Sequence, residues 1–235
     1  MLTLHIGNKN YSSWSLRPWV LMRAHGIAFE EVPHRFGRDN LDDGFRAFSP
    51  NAKVPCLVDD GLAVWDSLAI AEYLAERHPG IWPDAAEARA FARCAAAEMH
   101  SGFTTLRGQF GMNVGVRVQV KQHSPTLQAD IDRVLALWNE GLARFGGPYL
   151  AGDTFTAVDA FYAPVAFRFQ SFGVAVAGAA ADYLQRLLAH PAMRDWEAQA
   201  LAEDFRDPEH DAELTTIGTI TADLRAVVAG GGLTA

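Results

Sequence analysis

Short strand patterns alternate with helical patterns over the first eighty residues, which restricts this part of the chain to folds that combine a small sheet with helices. Leu2, Leu4 and Ile6 alternate with polar residues, a pattern typical of a strand with one buried face. A hairpin is predicted around the turn at 59–61. The predicted order is a strand (2–6), a helix (16–24), a strand (29–32), a weakly helical polar stretch (39–48), a hairpin (54–58 with 62–65) and a helix (67–77).

The rest of the chain carries helical patterns. Proline, glycine and a Trp-Pro pair interrupt the pattern between residues 79 and 85. We therefore predict two domains, a mixed α/β domain over 1–80 and an all-helical domain over 86–235. The predicted helical windows are 85–109, 126–145, 157–172, 179–189 and 193–204.

Charge and composition exclude several kinds of partner. The 235 residues contain 20 Lys and Arg against 28 Asp and Glu, a net charge of -8. The basic residues are scattered, which argues against nucleic acid and against an anionic membrane surface as partners. A hydrophobic fraction of 49% is enough for a substantial core. An anionic small ligand would need a local cationic pocket.

The chain has two cysteines, Cys56 and Cys94. This number excludes a disulfide framework and a four-thiolate zinc site, and we expect no bound metal. The sequence shows no leader pattern and no apolar segment long enough to span a membrane. We therefore expect a protein of a reducing compartment, the cytoplasm.

A proline stands at the start of a predicted strand, at Val54-Pro55. Proline cannot donate to a sheet ladder, so it is confined to strand starts, edges and bulges. A cis Val54-Pro55 bond would turn the backbone of Val54 outward, where an extended peptide ligand could pair with it. A trans proline in an ordinary edge strand is the alternative.

Asp66 and Ser67 stand where the helix after the hairpin begins. Free amide groups at a helix start can bind a carboxylate, and the Ser67 hydroxyl adds a donor. Asp66 could accept a hydrogen bond from an ammonium group, so the pair suits the α-amino-acid end of a ligand. Simple capping of the helix by Asp66 or Ser67 is the alternative reading.

The run from Tyr11 to Arg17 lies where the first strand meets the first helix, and it contains three serines. A hydroxyl at a helix start can donate a hydrogen bond to a ligand thiolate and so favour it over the thiol. A serine nucleophile is less well supported, because no nucleophile elbow is present. Serines that only cap the helix are the remaining alternative.

Taken together and in this order, these three features resemble the glutathione transferase superfamily, and the resemblance spans nearly the whole chain. It rests on the runs at 12–17, 49–55 and 66–74 and on the helical part that follows. The first run is most similar to that of the zeta class, Ser-Ser-Cys-Ser-x-Arg. The resemblance implies a thioredoxin-like N-terminal domain, a C-terminal helical bundle, a homodimer, and glutathione as co-substrate.

The resemblance also assigns residues. It implies that Ser12 carries the thiol-activating hydroxyl, with Ser13 as the nearest alternate. It assigns glutathione binding to Lys53, Val54, Pro55, Asp66 and Ser67. Candidates for the electrophile site are Tyr11, Trp14 and Phe103. Trp14 replaces the cysteine of the zeta run, which weakens the expectation of zeta-type isomerase activity.

The leading functional hypothesis is a glutathione transferase that conjugates the glutathione thiolate to an apolar electrophile. Glutathione-dependent isomerisation and peroxide reduction stay open, since both use the same thiolate. A non-catalytic binding protein of the same fold also stays open.

A capping box is predicted further along the chain. Thr156 as N-cap can bond the amide of Asp159, while the carboxylate of Asp159 reaches back to the amide of Thr156. We expect this box to serve folding and to carry no chemistry.

Overall fold

The computed structural model describes residues 1–37 and 41–225. Its first part is a four-stranded sheet with helices and its second part is mainly helical, which confirms the predicted fold class. The elements of the first part are β1 (Leu2–Gly7), α1 (Ser13–Ala24), β2 (Glu30–His34), a 3-10 helix (Leu41–Ala47), β3 (Cys56–Asp59), β4 (Leu62–Trp65) and α2 (Ser67–Ala75).

The sheet has the strand order β2-β1-β3-β4. Strand β1 is parallel to β2 and antiparallel to β3, and β3 is antiparallel to β4. The parallel pair requires a crossover, which α1 provides. Leu4 lies opposite Leu57 in the register, and both are fully buried, so the predicted alternation of β1 does face a core.

The second part contains helices and a two-stranded sheet. Its elements are α3 (Ala86–Ser101), α4 (Thr104–Gln109), β5 (Val116–Val120), α5 (Pro125–Phe145), α6 (Ala157–Ser171), α7 (Gly178–Ala189), α8 (Pro191–Ala202), α9 (Pro208–Ile217) and β6 (Gly218–Asp223). No helix among the described residues has both the length and the apolar character needed to cross a bilayer.

The expectation of a second part that is helical throughout is wrong, because β5 and β6 pair antiparallel. Val116, Val118 and Val120 alternate with polar residues and predict a strand with one buried face. The partner strand lies about a hundred residues away along the chain, so no local hairpin pattern marks the pair.

The predicted helical window 85–109 is also divided, at Gly102 and Phe103. Gly102 is extended, and a Cβ atom there would lie 2.7 Å from the carbonyl oxygen of Glu98. Phe103 adopts the left-handed conformation with φ 53°. Helix α4 therefore starts afresh after this break and does not continue α3.

Helix α6 is the centre of the molecule. Almost every one of its residues is buried, and it packs against α1 of the first part and against α3. A single hydrophobic core includes residues of both parts, among them Leu16 and Trp19 of α1 and Phe161 of α6. The two parts are therefore held in one fixed arrangement.

The predicted capping box of α6 is present. The carboxylate of Asp159, which is fully buried, accepts hydrogen bonds from the amides of Thr156 at 2.9 Å and Leu150 at 3.1 Å. The hydroxyl of Tyr183 donates to it at 2.9 Å. Burial raises the pKa of Asp159 to about 6, and these donors act in the opposite direction because they favour the charged form.

We expect Asp159→Ala to lower the free energy of unfolding by about 3 kcal/mol, because it leaves buried donors of Leu150, Thr156 and Tyr183 unsatisfied. Urea denaturation measures the change. Asp153→Ala, at an exposed position in the same loop, is the control and should have little effect. An equal loss in both variants would contradict the role given to the box.

Candidate active site

A cleft of about 1350 Å³ lies between the sheet part and the helical part. On the first-domain side it is lined by residues 11–14, 36–37, 45 and 52–54. The second part of the chain lines the other side. This side consists of α4, residues 111–112, residue 168 of α6, and several residues of 205–213 at and before the start of α9. The break before α4 therefore shapes one wall of the cleft.

The Val54-Pro55 peptide bond is cis, as the sequence analysis considered. Pro55 is buried and Val54 lines the cleft, while β3 begins only at Cys56. The backbone of Val54 is thus presented to the cleft just before the strand starts. Lys53 lines the cleft beside it with an exposed side chain, and its amide donates to Asn51 Oδ1 at 3.0 Å.

Ser12 is the N-cap of α1, and its hydroxyl is already engaged there. Its Oγ accepts a hydrogen bond from the backbone amide of Ser15 at 3.3 Å. It also donates a hydrogen bond to the side-chain Oγ of Ser15 at 2.8 Å. Ser15 Oγ in turn accepts the amide of Gly7 at 3.0 Å. These bonds tie the end of β1 to the start of α1, so the alternative in which a serine caps the helix applies to Ser12.

Ser13 differs from its neighbour. It lines the cleft, and within the described part of the chain its hydroxyl makes no hydrogen bond. Its amide donates to the carbonyl oxygen of Tyr11 at 3.0 Å. Of the two candidate serines, Ser13 is the one with an unused hydroxyl at the positive end of α1.

Trp14 lines the cleft between two arginines. The guanidinium carbon of Arg17 lies 4.2 Å from the centre of its ring, and that of Arg107 lies 4.6 Å away. The ring of His100 is edge-on to Trp14, with 5.2 Å between ring centres. The bulky residue that replaces the zeta-class cysteine is therefore held by cation–π contacts from both domains.

Asp66 and Ser67 stand at the start of α2, as predicted. Asp66 caps this helix, since its Oδ1 accepts the amide of Leu68 at 2.8 Å, and its Oδ2 lies 3.4 Å from His100 Nε2. The hydroxyl of Ser67 is buried and makes no hydrogen bond within the described residues. Neither residue lines the main cleft, but His100 links Asp66 to the cleft residue Trp14.

Tyr11 lines the cleft, but its hydroxyl is hydrogen-bonded to Asp207, Asp211 and Arg225. This hydroxyl donates a hydrogen bond to Asp211 Oδ1 at 3.3 Å. It accepts hydrogen bonds from Arg225 Nη1 at 2.9 Å and from the amide of Asp207 at 3.1 Å. Burial raises the pKa of Tyr11, so the group stays a phenol at neutral pH. It connects the first domain to the segment that contains α9 and β6.

Phe103, a candidate for the electrophile site, is buried in the hydrophobic core and is not among the residues that line the cleft. The left-handed turn that ends α3 places it there. Arg107 and Arg168 line the cleft and were not predicted as site residues. Both lay in windows interpreted only as helices, and no local pattern marks them as a pair.

The described ranges contain no group of three or more His, Cys, Asp or Glu side chains arranged to hold a metal ion. The polar groups that line the cleft include the Ser12 and Ser13 hydroxyls, the cations of Lys53, Arg107 and Arg168, His210, and the carboxylates of Asp207, Glu209 and Glu213.

Family models match both parts of the chain. A model described as "Glutathione S-transferase, N-terminal domain" matches residues 11–77. A second, "Glutathione S-transferase, C-terminal domain", matches residues 85–199.

Curated relatives and solved structures agree with these matches. A maleylacetoacetate isomerase of Rattus norvegicus is 29% identical over 87% of this chain and 94% of its own length. A stringent starvation protein A homolog of Pasteurella multocida is 26% identical over 77% and 82%. The theta class glutathione S-transferase of Xanthomonas axonopodis pv. citri, solved with glutathione bound, aligns with TM-score 0.62 and 24% identity over 83% of this chain and 95% of its own.

We expect Tyr11→Phe to loosen the segment that contains α9 and β6, because Asp211, Arg225 and the Asp207 amide lose a shared partner. Hydrogen exchange of this segment should become faster, and the free energy of unfolding should fall by about 1 kcal/mol.

Tyr73→Phe is the control for this prediction, since the Tyr73 hydroxyl bonds Asp59 within the first domain, 2.7 Å away. It should leave exchange in α9 unchanged. If Tyr11→Phe also leaves that exchange unchanged, Tyr11 does not hold the segment.

Proposed function

Because the chain belongs to the glutathione S-transferase family, we propose that it binds glutathione along the first-domain wall of the cleft and transfers the thiolate to an electrophile held against the second domain. The observation that carries this proposal is the unused hydroxyl of Ser13 at the start of α1, inside the cleft. The hydroxyl of the neighbouring Ser12 is already used as the cap of this helix.

The proposed task of Ser13 is modest in energetic terms. A free cysteine thiol has a pKa of about 8.5, and each unit of pKa depression corresponds to about 1.36 kcal/mol. A hydroxyl donor combined with the positive end of a helix can supply one or two such units. The thiolate is then the dominant form near neutral pH, and it is the reactive nucleophile.

The remaining glutathione contacts follow from the same placement. The backbone of Val54, which lines the cleft, pairs with the backbone of the cysteinyl residue, as an added strand would. The ammonium of Lys53 binds the glycyl carboxylate.

The γ-glutamyl end is assigned to the start of α2. The buried hydroxyl of Ser67 and the amide groups of the helix start donate hydrogen bonds to its carboxylate, which gives a partner to a hydroxyl that has none. Asp66 binds its ammonium. The hydrogen bond from Leu68 and the proximity of His100 fix the orientation of the Asp66 carboxylate for this contact.

Isomerisation is the second candidate, and the similarity to the rat maleylacetoacetate isomerase favours it. It uses the same thiolate but returns it after the double bond has rearranged, so no glutathione is consumed. Mass analysis of the products and of the glutathione that remains distinguishes conjugation from isomerisation.

The two thiols support a proposal for the compartment. Cys56 is buried, Cys94 is exposed, and both are free. An exposed free thiol persists in a reducing compartment, where glutathione is also abundant in its thiol form. We therefore propose the cytoplasm as the compartment of this protein.

We expect Ser13→Ala to raise the pKa of the bound thiol by about one unit, because it removes a hydrogen bond to the charged sulfur. The pH midpoint of kcat/KM for an activated aryl chloride should move upward by the same amount. Ser12→Ala removes the helix cap instead and should lower the free energy of unfolding by about 1 kcal/mol while leaving the midpoint in place. A midpoint that moves only in Ser12→Ala would give the role to Ser12, and a midpoint that moves in neither variant would refute the proposal.

A homodimer is the proposed assembly. The edge strand β4 exposes two large apolar side chains, Leu62 at 55% and Trp65 at 43%. Light scattering should give twice the 25.6 kDa chain mass. Trp65→Glu should reduce the mass to that of one chain, whereas Leu224→Glu, at an exposed position on the C-terminal segment, should not. A wild-type mass of one chain would contradict the assembly.

A further inference from the structure

Three arginines from different elements converge at the wall of the cleft. Arg17 comes from α1, Arg107 from α4 and Arg168 from α6. Arg107 and Arg168 line the cleft, whereas Arg17 lies behind the ring of Trp14, at 1% exposure. Folding therefore brings three positive charges together in a chain whose net charge is -8.

None of the three forms an ion pair with a carboxylate of the described residues. Arg107 Nη1 donates to the carbonyl oxygens of His100 and Gly102 at 3.2 Å. Arg168 Nη1 donates to the carbonyl oxygens of Phe110 and Arg107. The Nε atoms of Arg17 and Arg168 are buried and have no hydrogen-bond partner. Backbone carbonyls thus orient the guanidinium groups of Arg107 and Arg168 without neutralising them.

This arrangement is costly for the protein alone. Burial, together with the charge of Arg107, lowers the pKa of Arg17 and of Arg168 to about 9. Buried cations are normally paired, because the desolvation of an unpaired charge is unfavourable. An uncompensated cluster beside an open cleft is typical of a ligand site, where the ligand carries the missing charge.

We propose that the α4 wall of the cleft binds an acidic group, a carboxylate or sulfonate, of the substrate that receives the glutathione sulfur. Arg107 contacts this group. Arg168 adds its positive charge and the unused donor at its Nε. This inference rests on the proposed function, since it concerns the second substrate of the same reaction.

Glutathione itself does not account for the cluster. Its glycyl carboxylate is assigned to Lys53 and its γ-glutamyl carboxylate to Ser67, both of which belong to the first domain. Arg107 and Arg168 belong to the second domain, on the wall that faces the sulfur from the other side. Their charge is therefore available to a second ligand.

A second stretch on the same side of the cleft has the other sign. Asp207, Glu209 and Glu213 line the cleft at α9. The carboxylate of Asp207 is held by His210 Nδ1 at 2.9 Å, and that of Glu213 lies near Gly111. An acidic group is repelled from α9 and attracted to α4, which orients the substrate in one direction. An attached ring can then lie against Trp14 and Met112, which line the same cleft.

The test uses two aryl chlorides activated by two nitro groups, one with a carboxylate para to the chlorine and one with a carboxamide there. In both, the thiolate sulfur bonds to the carbon that carries chlorine, chloride leaves with the electron pair, and the thiol proton goes to the buffer. In the wild-type protein, kcat/KM for the acid should be at least tenfold higher than for the amide, mainly because KM for the acid is lower. In Arg107→Gln the ratio of acid to amide should fall at least tenfold.

Two further variants support the comparison. Arg107→Lys keeps the charge but not the planar fork and should retain part of the preference. Arg133→Gln removes an exposed arginine of α5, paired with Glu98 at 2.7 Å, and should leave the ratio unchanged. Thermal unfolding followed by circular dichroism verifies that each variant is folded.

A binding measurement separates this inference from turnover. Calorimetry with the dinitrobenzoate that lacks chlorine, on protein with and without glutathione, should show binding that Arg107→Gln weakens about tenfold. Absence of this binding in wild type would overturn the acidic-group site, even if the amide is consumed and the proposed function stands.

Two other outcomes have distinct meanings. If Arg107→Gln slows acid and amide equally and raises the pKa of the bound thiol, the arginines serve the thiolate and the inference is overturned. If glutathione does not bind and neither chloride is consumed, the proposed function fails. Arg107-dependent binding of the dinitrobenzoate would then support the acidic-group site by itself.

Discussion

Helix α1 starts in the interior of the molecule, between the sheet and the helical part, where its first amide groups must find partners within the protein. Ser12 meets this requirement as the N-cap, and Ser15 joins the cap to the end of β1. The position of Ser13 depends on both bonds, because they fix the direction in which α1 leaves the sheet. The unused hydroxyl of Ser13 thus lies in the cleft at a helix start that the bonds of Ser12 and Ser15 hold in place.

The second domain contributes by being fixed against this helix. The buried carboxylate of Asp159 holds the start of α6, and α6 packs against α1 across a shared core. The break at Gly102 then turns α4 so that Arg107 reaches Trp14 of the first domain. The cleft consequently has hydroxyl and amide donors on one side, and guanidinium groups and carboxylates on the other. Two reactants of different charge can be oriented by such walls before they react.

Local features were predictable from the sequence, and long-range ones were not. The alternation in β1, the hairpin after Pro55 and the Thr156 box are each defined within a few residues. The hydroxyl of Tyr11, in contrast, is held by Arg225 at the far end of the chain, so its structural role has no local signal. The strand pair β5 and β6 was missed for the same reason, although the valines of β5 alternate.

The choice between Ser12 and Ser13 also needed the structure. Both serines are compatible with the sequence motif, and only the hydrogen bonds distinguish a capping hydroxyl from an unused one. The arginine cluster is similar, since its three members come from three helices, and α4 is recognisable as a separate helix only from the backbone at Gly102 and Phe103.

A crystal structure of the protein with glutathione would test the role of this helix start most directly, through the distances from the sulfur to the two seryl oxygens. We predict a sulfur within hydrogen-bond distance of Ser13 Oγ, with the bond between Ser12 and Ser15 intact. A sulfur that contacts Ser12 after that bond has broken, or a tripeptide bound away from Val54 and α1, would contradict this assignment.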